Sequence, residues 1–439
     1  MTQSAMADFV LGPVAIPDPV RDVAGTLLLD TIGVAAGASG LQAGRIARDF
    51  AHGHMGPGSF AAPLMFDGRL CGLPGAAFAA ATQIDNLDAH DGYNPVKGHI
   101  GCAVVPALFA FATLRPDLVL REAANALVVA YEVAARAGTV LHATVSDYHT
   151  SGAWNALGVA ALGARLLGLS PDQLRHALGI AEFHGPRSQM MREIANPTML
   201  HDGSGMGAMV GVQAVLMAQA GFAGAPAITV EQAPAHWADL GTDWTITRNY
   251  IKPYPVCRWA HPSIDGLRQL RLAHGFDASD IARIEIETFD AAAALYPDMP
   301  DTTSKAQYSL PFAVAMMAVR GQVGPDEVQG AALSDPDVAA LLPRIAVTAT
   351  DRHTARFPDV RTADVAVVLT EGSRRAVTDV QPRGGPQEVP MPPEEVQEKF
   401  GIMTATLDPG RRAALWAMRG RMDADAPFSG LADLVTAPI

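Results

Sequence analysis

The sequence predicts a mainly α-helical protein, in which a large all-helical bundle domain is interrupted by a smaller α+β domain that carries an antiparallel sheet. Three observations support this fold class. Apolar residues recur with the period of a helix in the first part of the chain, they alternate with a period of two in several segments after Tyr250, and the helical period returns after Pro390. We therefore expect residues 1–249 to form the helical domain, residues 250–391 the inserted domain, and residues 392–439 a return to the helical domain.

The composition is typical of a globular protein with a large core. Of the 439 residues, 49% are hydrophobic and 18% are charged, which provides enough apolar surface for two or three domains. The formal net charge of −13 disfavours nucleic acid and anionic membranes as partners. An anionic substrate would therefore need a local basic pocket.

Several features predict a cytoplasmic protein that does not enter a membrane. The three cysteines, Cys71, Cys102 and Cys257, lack the spacing of a metal site and are typical of a reducing compartment. The first residues, MTQSAMADFVLG, lack the basic region and the long apolar run of a signal peptide. No uncharged apolar run reaches the length of a membrane span, because Arg165 and Pro106 interrupt the two best candidates.

The helices of the first part are predicted from apolar spacing and from the residues that flank them. Pro17 and Pro19 open the first strong helix, whose apolar residues recur at helical spacing. Glu132 and Arg136 form an i,i+4 pair in a long helix, and Ser170 is typical of a helix N-terminus. Further helices are predicted from about Leu41, over Gly75–Ile84, after Ser151 in AWNALGVAALGARLLGL, and from Ser204 to about Ala220.

Four segments of the second part alternate with the period of a strand, and we expect strands to be confined to residues 250–391. The triplet Glu371-Gly372-Ser373 between the last two segments predicts a hairpin. The strand segments are Arg283–Phe289, Arg344–Thr350, Asp364–Thr370 and Arg375–Val380. Helices are predicted between and after them, at His261–His274, Leu310–Arg320, Pro393–Phe400 and from Pro409 to about Arg421.

The stretch from Gln83 to Pro106, QIDNLDAHDGYNPVKGHIGCAVVP, combines many titratable side chains with an irregular backbone. It joins a small-residue helix to an apolar helix, and its glycines and prolines break the helical pattern. Buried titratable groups are costly unless they are paired, and proteins concentrate them where chemistry occurs. We therefore expect a functional site here, with a solvated loop as the alternative. The candidate residues are Asp85, Asp88, His90, Asp91, Tyr93, Lys97 and His99.

The histidines and carboxylates of this stretch are compatible with two kinds of chemistry. Asp88, His90, Asp91 and His99 could bind a divalent ion, but no HExxH or comparable spacing supports a metal, and we predict neither a metal nor a cofactor. General acid–base catalysis needs the same residue types without a metal. His149 lies at a predicted helix N-terminus, where it could bind or protonate an anion; a capping or core role is the alternative.

Two further segments resemble binding motifs. The segment GSGMGA at 203–208 matches a dinucleotide fingerprint, but no strand precedes it, so helix packing is the better interpretation. The segment IKPYPVCRWAHPSID lies at the predicted domain boundary, where clefts are common. Its Lys252 and Arg258 are candidate anion binders, and Cys257 is either a nucleophile or a structural residue. Further candidates are His261 in the same segment and Arg187 and Arg192 in GPRSQMMREI.

Taken together, these segments resemble the MmgE/PrpD family, whose members include 2-methylcitrate dehydratase, cis-aconitate decarboxylase and iminodisuccinate epimerase. The resemblance covers nearly the whole chain and rests on several motifs that are each weak alone. It implies a large helical domain, an inserted α+β domain, a site between them, a homodimer and no obligatory metal. The motifs are LLLDTIGVAAGA, the Asp88–His99 loop, YHTSGAWNALGVAALGARLLGL, MLHDGSGMGAMVG, KPYPVCRWAHPSID, KAQYSLPFAVAM and EEVQEKF.

The resemblance extends to individual residues in five places. Asp88 and Asp91 match the first and last Asp of the family's Asp-Phe-Asp-Asp-Thr loop, and His99 matches the His that follows it. His149 matches the His of the family's His-Ser/Thr segment. Lys252 matches the Lys of Lys-x-x-Pro.

Three positions depart from the family pattern. The Thr after the aspartates is Gly92 in this chain. The Lys that lies three residues before the His of Leu-His-x-Gly is Thr198, although His201 is retained. The Tyr of Phe-Ser-x-x-Tyr is Phe312, with Tyr308 nearby. These departures argue against dehydratase and decarboxylase activity, and the loop from AHDG to KGHIG resembles the epimerase-like branch.

The resulting hypothesis is a lyase or isomerase that abstracts a proton α to a carboxylate of a small di- or tricarboxylate. Such a reaction needs a base, an acid and cations that stabilise an enediolate-like charge, and the predicted catalytic residues are Asp88, His99, His149 and Lys252. The alternatives are a lyase that resembles 2-methylcitrate dehydratase or cis-aconitate decarboxylase, an inactive polyanion-binding protein, and nucleophilic chemistry at the cysteine. The predicted substrate-binding residues are Asp91, Tyr93, Lys97, Arg187, His201, Cys257, Arg258 and His261.

Overall fold

The computed structural model describes residues 3–439, and helices connected by loops and 3₁₀ turns dominate it. The helices are α1 (Gln3–Leu11), α2 (Asp18–Gly37), α3 (Gln42–His54), α4 (Leu73–Asp85), α5 (Gly101–Ala112), α6 (Leu120–Thr144), α7 (Gly152–Leu166), α8 (Pro171–His184), α9 (Met190–Ala195), α10 (Ser204–Gln219), α11 (Ile228–Glu231), α12 (His261–His274), α13 (Asp290–Ala293), α14 (Thr303–Gln307), α15 (Leu310–Arg320), α16 (Pro336–Leu341), α17 (Asp351–Thr354), α18 (Pro393–Met403), α19 (Pro409–Ala417) and α20 (Ser429–Thr436). The strands are β1 (Ala62–Pro63), β2 (Leu70–Cys71), β3 (Gly92–Tyr93), β4 (Asn249–Tyr250), β5 (Ile281–Thr288), β6 (Ile345–Ala349), β7 (Ala363–Leu369) and β8 (Arg374–Val380).

Local sequence explains where several of the predicted helices begin. Pro19 lies in the first turn of α2, where a missing backbone N–H costs nothing. The Ser170 side chain accepts a hydrogen bond from the Gln173 backbone N–H at the start of α8, and the Gln173 side-chain oxygen accepts one from the Ser170 backbone N–H. Such a cap stabilises a helix by about 1 kcal/mol. The mainly helical fold class is confirmed.

The helical bundle depends on close approach between small residues. α7 packs against α6 and α10, and α10 also packs against α4. A Cβ added to Gly158 of α7 would lie 2.6 Å from the carbonyl oxygen of Ala130 in α6, so a larger residue would push these helices apart. A Cβ added to Gly207 of α10 would lie 2.3 Å from the Asn155 side chain. The GSGMGA segment therefore serves helix packing, as we inferred.

The four longer strands form the predicted sheet, in the order β6-β5-β7-β8. β5 pairs antiparallel with β7, and β7 pairs antiparallel with β8. β6 instead runs parallel to β5, with Ile345 opposite Ile284, so the sheet is mixed. The chain between β5 and β6 contains α13 to α16, and a long connection of this kind returns the chain to the end of the sheet from which β5 started. α12 packs against β7 and β8.

Short strands also occur outside residues 250–391, contrary to our expectation. β1 pairs with β2, and β3 pairs with β4, over two residues each. Segments of two residues have no detectable periodicity, so these strands could not be predicted from the sequence. The β3–β4 pair has a structural consequence, because it attaches the polar loop at Gly92 to the first residues of the second part at Tyr250.

The C-terminal helices contact the helical part of the chain. α18 packs against α2, and Lys399 donates a hydrogen bond of 2.6 Å to Asp30. The backbone N–H of Phe428 donates to the carbonyl oxygen of Leu118 over 2.8 Å. These contacts agree with a return of the chain to the helical part, while the boundaries of the three predicted ranges stay a prediction.

Membrane-span criteria single out one helix in the part of the chain that the structure describes. α6 is long and apolar enough to cross a membrane, but 83% of its most apolar window is buried inside the protein, as in a core helix. α2 and α3 are long and apolar enough only when they are taken together as one span, and the chain bends by 94° between them. The cytoplasmic location stays a prediction.

Candidate active site

Several separate parts of the chain line one small cavity next to β3 and β4. Its volume is about 30 Å³, which is room for about two water molecules. A larger cavity of about 250 Å³ lies beside α2 and α19, but its described lining includes no histidine or lysine. The lining residues of the small cavity are Asp88, Lys97, His99, Tyr148, Met190, Ile194, Asp202, Tyr250, Lys252, Cys257, Arg258, Trp259, Tyr308 and Arg361.

Asp88 and Lys252 form a buried ion pair at this cavity, with exposed fractions of 2% and 1%. The Lys252 Nζ donates to Oδ1 of Asp88 and, over 3.0 Å, to the Asp88 backbone carbonyl oxygen. Burial raises the pKa of Asp88, and the charges of Lys252 and His99 oppose that rise. Oδ2 of Asp88 has no hydrogen-bond partner within residues 3–439, so this oxygen is available to a substrate.

His99 presents an unprotonated ring nitrogen to the same site. Its Nδ1 lies 2.7 Å from the backbone carbonyl oxygen of Asp91; because a carbonyl can only accept, Nδ1 carries the proton of the neutral ring. Burial and the charge of Lys252 lower the pKa of His99 to about 4, so the ring is neutral at pH 7. Nε2 lies 3.5 Å from Oδ2 of Asp202. Ser151 Oγ donates to Asp202 over 2.8 Å and accepts from the His99 backbone over 2.9 Å, which fixes both residues.

Tyr308, Glu193 and His201 form a second buried group beside the cavity. The Tyr308 hydroxyl donates to Oε1 of Glu193, and His201 Nδ1 lies 3.9 Å from the same oxygen. Burial and the charge of Asp202 raise the pKa of Glu193 well above its usual range. Burial lowers the pKa of His201 to about 3. Tyr308 lines the cavity, whereas Phe312 is fully buried in α15 and does not line it.

Two overlapping groups of side chains have ligand atoms within 4.8 Å of one another, as a metal site requires. They share His90, whose two ring nitrogens lack a hydrogen-bond partner among the described residues. However, a cation bound through Asp88 would compete with the Lys252 ammonium, which already occupies that carboxylate. The donors of the group that contains Asp88 therefore suit acid–base chemistry better than metal binding, and the predicted absence of a metal stays a prediction. The two groups are Asp85, His90, Cys102 and Asp88, His90, His99.

Three of the predicted substrate-binding residues line the cavity: Lys97, Cys257 and Arg258. The Lys97 Nζ lies 4.5 Å from the centre of the Tyr148 ring. Arg258 is paired with Glu388. Burial raises the pKa of Cys257 to about 12, so its thiol stays protonated at neutral pH, which argues against the nucleophilic alternative.

His149 does not line the cavity, although we expected it to converge there with the other three predicted catalytic residues. It forms an antiparallel bridge with Gln189, and consecutive side chains of extended backbone point to opposite sides. Tyr148 consequently faces the cavity, while the His149 ring lies 6.4 Å from the His142 ring. Three of the four predicted catalytic residues, Asp88, His99 and Lys252, therefore meet at the cavity, and the expected convergence of His149 with them is wrong. The catalytic role of each residue stays a prediction.

Five of the predicted substrate-binding residues lie outside the cavity lining. Asp91 faces the core, where burial and the charge of Asp30 raise its pKa to about 7. Arg187 is exposed at the surface, and His261 Nε2 lies 3.0 Å from a backbone carbonyl oxygen. The residue types of a loop do not reveal which side chains face the core and which face a cavity. The five residues are Asp91, Tyr93, Arg187, His201 and His261.

Several cavity residues were missed by the sequence analysis. Asp202 directly follows His201, and Tyr250 lies two residues before Lys252, so their position beside predicted site residues could have identified them. Arg361 lies in RFPDVRTAD, which carries no recognisable signal. Only the fold brings Arg361 to the cavity.

Comparison with known proteins identifies the family of the chain. Residues 5–239 match the MmgE/PrpD N-terminal domain, and residues 254–422 match the MmgE/PrpD C-terminal domain. The chain is 23% identical over 446 residues to the cis-aconitate decarboxylase-like protein oryM of Aspergillus oryzae (strain ATCC 42149 / RIB 40), with 90% of this chain and 89% of the relative covered. It is 22% identical over 324 residues to the cis-aconitate decarboxylase of Mus musculus, with 68% and 65% covered. The resemblance is confirmed, and the chain belongs to the MmgE/PrpD family.

Proposed function

We propose that this protein is a lyase or isomerase that removes a proton from a carbon next to a carboxylate of a small di- or tricarboxylate. The observation that carries the proposal is the meeting of Asp88, Lys252 and His99 at one buried cavity. A base and a cation placed together in a site poor in water are what this chemistry requires. Family membership and the names of the two relatives agree with an enzyme of this kind.

His99 is the base in this proposal. Its Nδ1–H is held by the Asp91 carbonyl oxygen, so the lone pair of Nε2 is left for the substrate proton. The C–H electron pair then moves into the adjacent carboxylate and gives an enediolate-like intermediate, while His99 becomes an imidazolium. Asp202, at 3.5 Å, stabilises that positive charge. A bound polyanion also raises the pKa of His99 through its charge, which strengthens the base.

Lys252 stabilises the negative charge that develops on the substrate. Its ammonium is almost fully buried, so its field is weakly screened by water. Asp88 fixes the ammonium through two acceptor oxygens, one from the side chain and one from the backbone. The remaining oxygen of Asp88 can accept a hydrogen bond from a substrate hydroxyl or amine.

Substrate binding requires the cavity to widen. A volume of about 30 Å³ holds about two water molecules, whereas a dicarboxylate is several times larger. The loop at 88–99 and the segment at 250–259 both contribute to the lining, and the two-residue β3–β4 pair joins them. We expect these parts to separate when the substrate enters and to close over it.

The fate of the intermediate decides the class of reaction, and we favour epimerisation or isomerisation. Return of the proton on the other face inverts the carbon, whereas departure of a leaving group gives an alkene. Thr198 is exposed and Phe312 is fully buried, at the positions where other family members have a lysine and a tyrosine. The protein is therefore expected to act like an iminodisuccinate epimerase and to dehydrate 2-methylcitrate slowly or not at all.

A lyase that decarboxylates cis-aconitate is the second candidate, because both relatives carry that name. In that reaction a C–C bond breaks, carbon dioxide leaves, and a proton is delivered to the carbon. The same cavity could supply the proton, from His99 or Asp202. A polyanion-binding protein without activity is the alternative from another class.

The test is incubation of the protein with a panel of di- and tricarboxylates in deuterium oxide, followed by proton NMR. We expect the proton next to a carboxylate to exchange in at least one compound and a new stereoisomer to form. Release of carbon dioxide from cis-aconitate would identify the second candidate. Efficient dehydration of 2-methylcitrate would refute the epimerase assignment, and binding without any exchange or turnover would identify an inactive binder.

We also propose that the protein forms a homodimer, as the family resemblance implies. Large apolar side chains are exposed along α8, α9, the start of α10 and the connections between them, and such surfaces often mark subunit contacts. Light scattering should then report twice the chain mass of 46.0 kDa, and a monomer at micromolar concentration would contradict the proposal. The exposed residues are Phe183, Met191, Met199, Leu200 and Met206.

A further inference from the structure

Arg361 is a buried cation without a carboxylate partner in the part of the chain that the structure describes. Its side chain is 1% exposed, yet no described carboxylate lies within 4.0 Å of it. Nη1 donates to the backbone carbonyl oxygen of Pro358 over 3.3 Å, and Nε has no partner within residues 3–439. Because a guanidinium has five N–H donors, most of its hydrogen-bonding capacity is unused.

Other buried cations of the described chain do have an acid beside them. Taking a charge out of water costs several kcal/mol, which a close partner offsets. Arg361 lacks this compensation at contact distance, since Glu388 acts on it through space but is itself paired with Arg258. Burial accordingly lowers the pKa of Arg361. The paired examples are Lys252 with Asp88, Lys399 with Asp30, Arg136 with Glu132, and Arg258 with Glu388.

Lys97, which is half-buried, is a second cation without a carboxylate partner at the same cavity. Its Nζ lies 4.5 Å from the centre of the Tyr148 ring, and no carboxylate of residues 3–439 comes within 4.0 Å of it. Burial and the charge of Arg361 lower the pKa of Lys97, so the two cations influence each other. Both residues line the cavity. Two uncompensated positive charges that face one cavity form a site for an anion.

The contacts of the two cations differ from those of Lys252. The Lys252 ammonium donates to Asp88. The Lys97 ammonium instead lies over the Tyr148 ring, and Arg361 donates to the Pro358 carbonyl oxygen. Lys252 is therefore held by an acid of the protein, whereas Arg361 and Lys97 have no such partner among the described residues and suit an anion that enters the cavity.

We propose that Arg361 and Lys97 form a carboxylate-binding subsite, which holds the substrate carboxylate that is remote from the reacting carbon. This inference rests on the proposed function, since it assigns the reacting carbon to the part of the cavity at Lys252 and His99. The planar guanidinium of Arg361 suits a carboxylate that is bound through two oxygens. The Lys97 ammonium adds a second charge from the other part of the chain.

The subsite defines a substrate class. A compound with one carboxylate can satisfy either Lys252 or Arg361, but not both, whereas a di- or tricarboxylate can bridge them. We therefore expect the protein to select compounds with at least two carboxylates. The bound carboxylate also links residues from the two parts of the chain, because Arg361 precedes β7 and Lys97 lies between β3 and α5.

The test compares matched ligands by isothermal titration calorimetry. Succinate and butyrate have the same carbon chain and differ by one carboxylate, and tricarballylate adds a third. We expect the wild-type protein to prefer succinate or tricarballylate over butyrate by about 30-fold or more, as one buried charge-assisted contact implies. Arg361→Met should remove most of this preference, and Lys97→Met should remove part of it. Arg361→Lys keeps the positive charge but loses the planar group that can bind two carboxylate oxygens, so its preference should lie between those of the wild type and Arg361→Met.

Arg356→Met is the matched control, because this partly exposed arginine pairs with Asp379 and does not line the cavity. Circular dichroism establishes that each variant is folded. If Arg361→Met does not fold, the comparison is made with Lys97→Met and Arg361→Lys instead. A preference as large as that of the wild type in the folded Arg361 variants, or a wild-type protein without any preference, would overturn the subsite. If the preference depends on Arg361 but no compound exchanges a proton in deuterium oxide, the subsite is supported and the proposed reaction is refuted. The failure of the subsite can therefore be distinguished from the failure of the proposed function.

Discussion

The Lys252 ammonium lies where water scarcely reaches, and two oxygens of Asp88 hold it there. Such a pair is weak evidence for stability, because the attraction mainly repays the cost of taking both charges out of water. Its functional importance is that the buried ammonium produces a strong local electric field that acts on a bound anion. If Lys252 is removed, burial favours protonation of Asp88, whose pKa is already raised, so the fold need not carry an uncompensated charge.

Lys252→Ala is therefore expected to reduce activity much more than stability. The loss of one cation from a desolvated site should lower kcat/KM by about a hundredfold or more, because one charge-assisted contact in the transition state is worth a few kcal/mol. Steady-state kinetics on the substrate found in deuterium oxide, together with thermal melts, measure both effects. Lys305→Ala is the control, since this lysine pairs with the exposed Asp301. Activity like that of the wild type in Lys252→Ala would show that the cation is dispensable.

Cys257 is expected to be dispensable for the reaction, although it lines the cavity. Because burial raises its pKa to about 12, a negligible fraction is thiolate at pH 7, and Cys257→Ala should keep at least about a third of the wild-type kcat. Iodoacetamide should modify this residue slowly, as mass spectrometry can measure. Complete loss of activity in a folded Cys257→Ala protein would support nucleophilic chemistry instead.

The sequence identified residue types at the site better than side-chain directions. Asp88, His99 and Lys252 could be singled out because titratable residues are conspicuous between apolar helices, and all three line the cavity. His149 and Tyr148 are neighbours in extended backbone, where a shift of one residue exchanges the two faces. Arg361 could not be found at all, because its role depends on the absence of a nearby acid in the folded chain, and no local pattern reports that.

At the scale of elements, periodicity predicted which segments fold but not how they pair. The helical segments and the four longer strands have enough residues to display a period, so most were identified with ends shifted by a few residues. A period of two is the same in parallel and antiparallel pairs, so the direction of β6 beside β5 was not accessible. The two-residue strands β1 to β4 are too short to give a signal.

The packing of α18 against α2 places one cation, Lys399, near two acids. Lys399 donates to Asp30 over 2.6 Å and to the Ala89 carbonyl oxygen over 2.7 Å. Asp91 lies close enough for burial and the charge of Asp30 to raise its pKa to about 7. One lysine cannot neutralise two ionised carboxylates, so the network is best satisfied when Asp91 is protonated.

Asp91→Asn is expected to change how stability depends on pH. The pKa of Asp91 rises from an ordinary value of 3.8 to about 7 on folding, so the folded protein holds a proton that the unfolded chain loses, and stability contributed by this group is lost as pH rises through about 7. The melting temperature of Asp91→Asn minus that of the wild type should therefore become more positive between pH 5 and pH 8. Asp359→Asn changes an exposed carboxyl and serves as the control. A difference that does not vary with pH would contradict the prediction.

At the scale of the whole molecule, the second part of the chain enters and leaves at one place. The Ile251 backbone N–H donates to the Gly384 carbonyl oxygen over 3.0 Å, and Asn249 and Pro390 line one cavity beside α2. The return of the helical period after Pro390 predicted such an insertion, but sequence alone could not show that its two ends are adjacent. The candidate site lies across this junction, with Asp88 and His99 on one side and Lys252 and Arg361 on the other.

Excision of residues 251–390, with a short Gly-Ser linker in their place, should leave a folded helical domain. The ends to be joined are close, and domains inserted at adjacent ends are commonly dispensable for the fold of their host. α18 would still pack on α2, and Phe428 would still bond to Leu118. Activity should vanish, because Lys252 and Arg361 are removed with the segment.

Far-UV circular dichroism and thermal melting of the excised chain test this prediction, and we expect a helical spectrum with one cooperative transition. The matched control is the chain that ends at residue 391, which keeps the insertion but loses α18 to α20. This control should melt without cooperativity, because the apolar face of α2 that contacts α18 becomes exposed to water. The opposite result would be a chain ending at residue 391 that melts cooperatively and an excised chain that does not. In that case the C-terminal helices belong with the second part of the chain, and the predicted domain organisation is wrong.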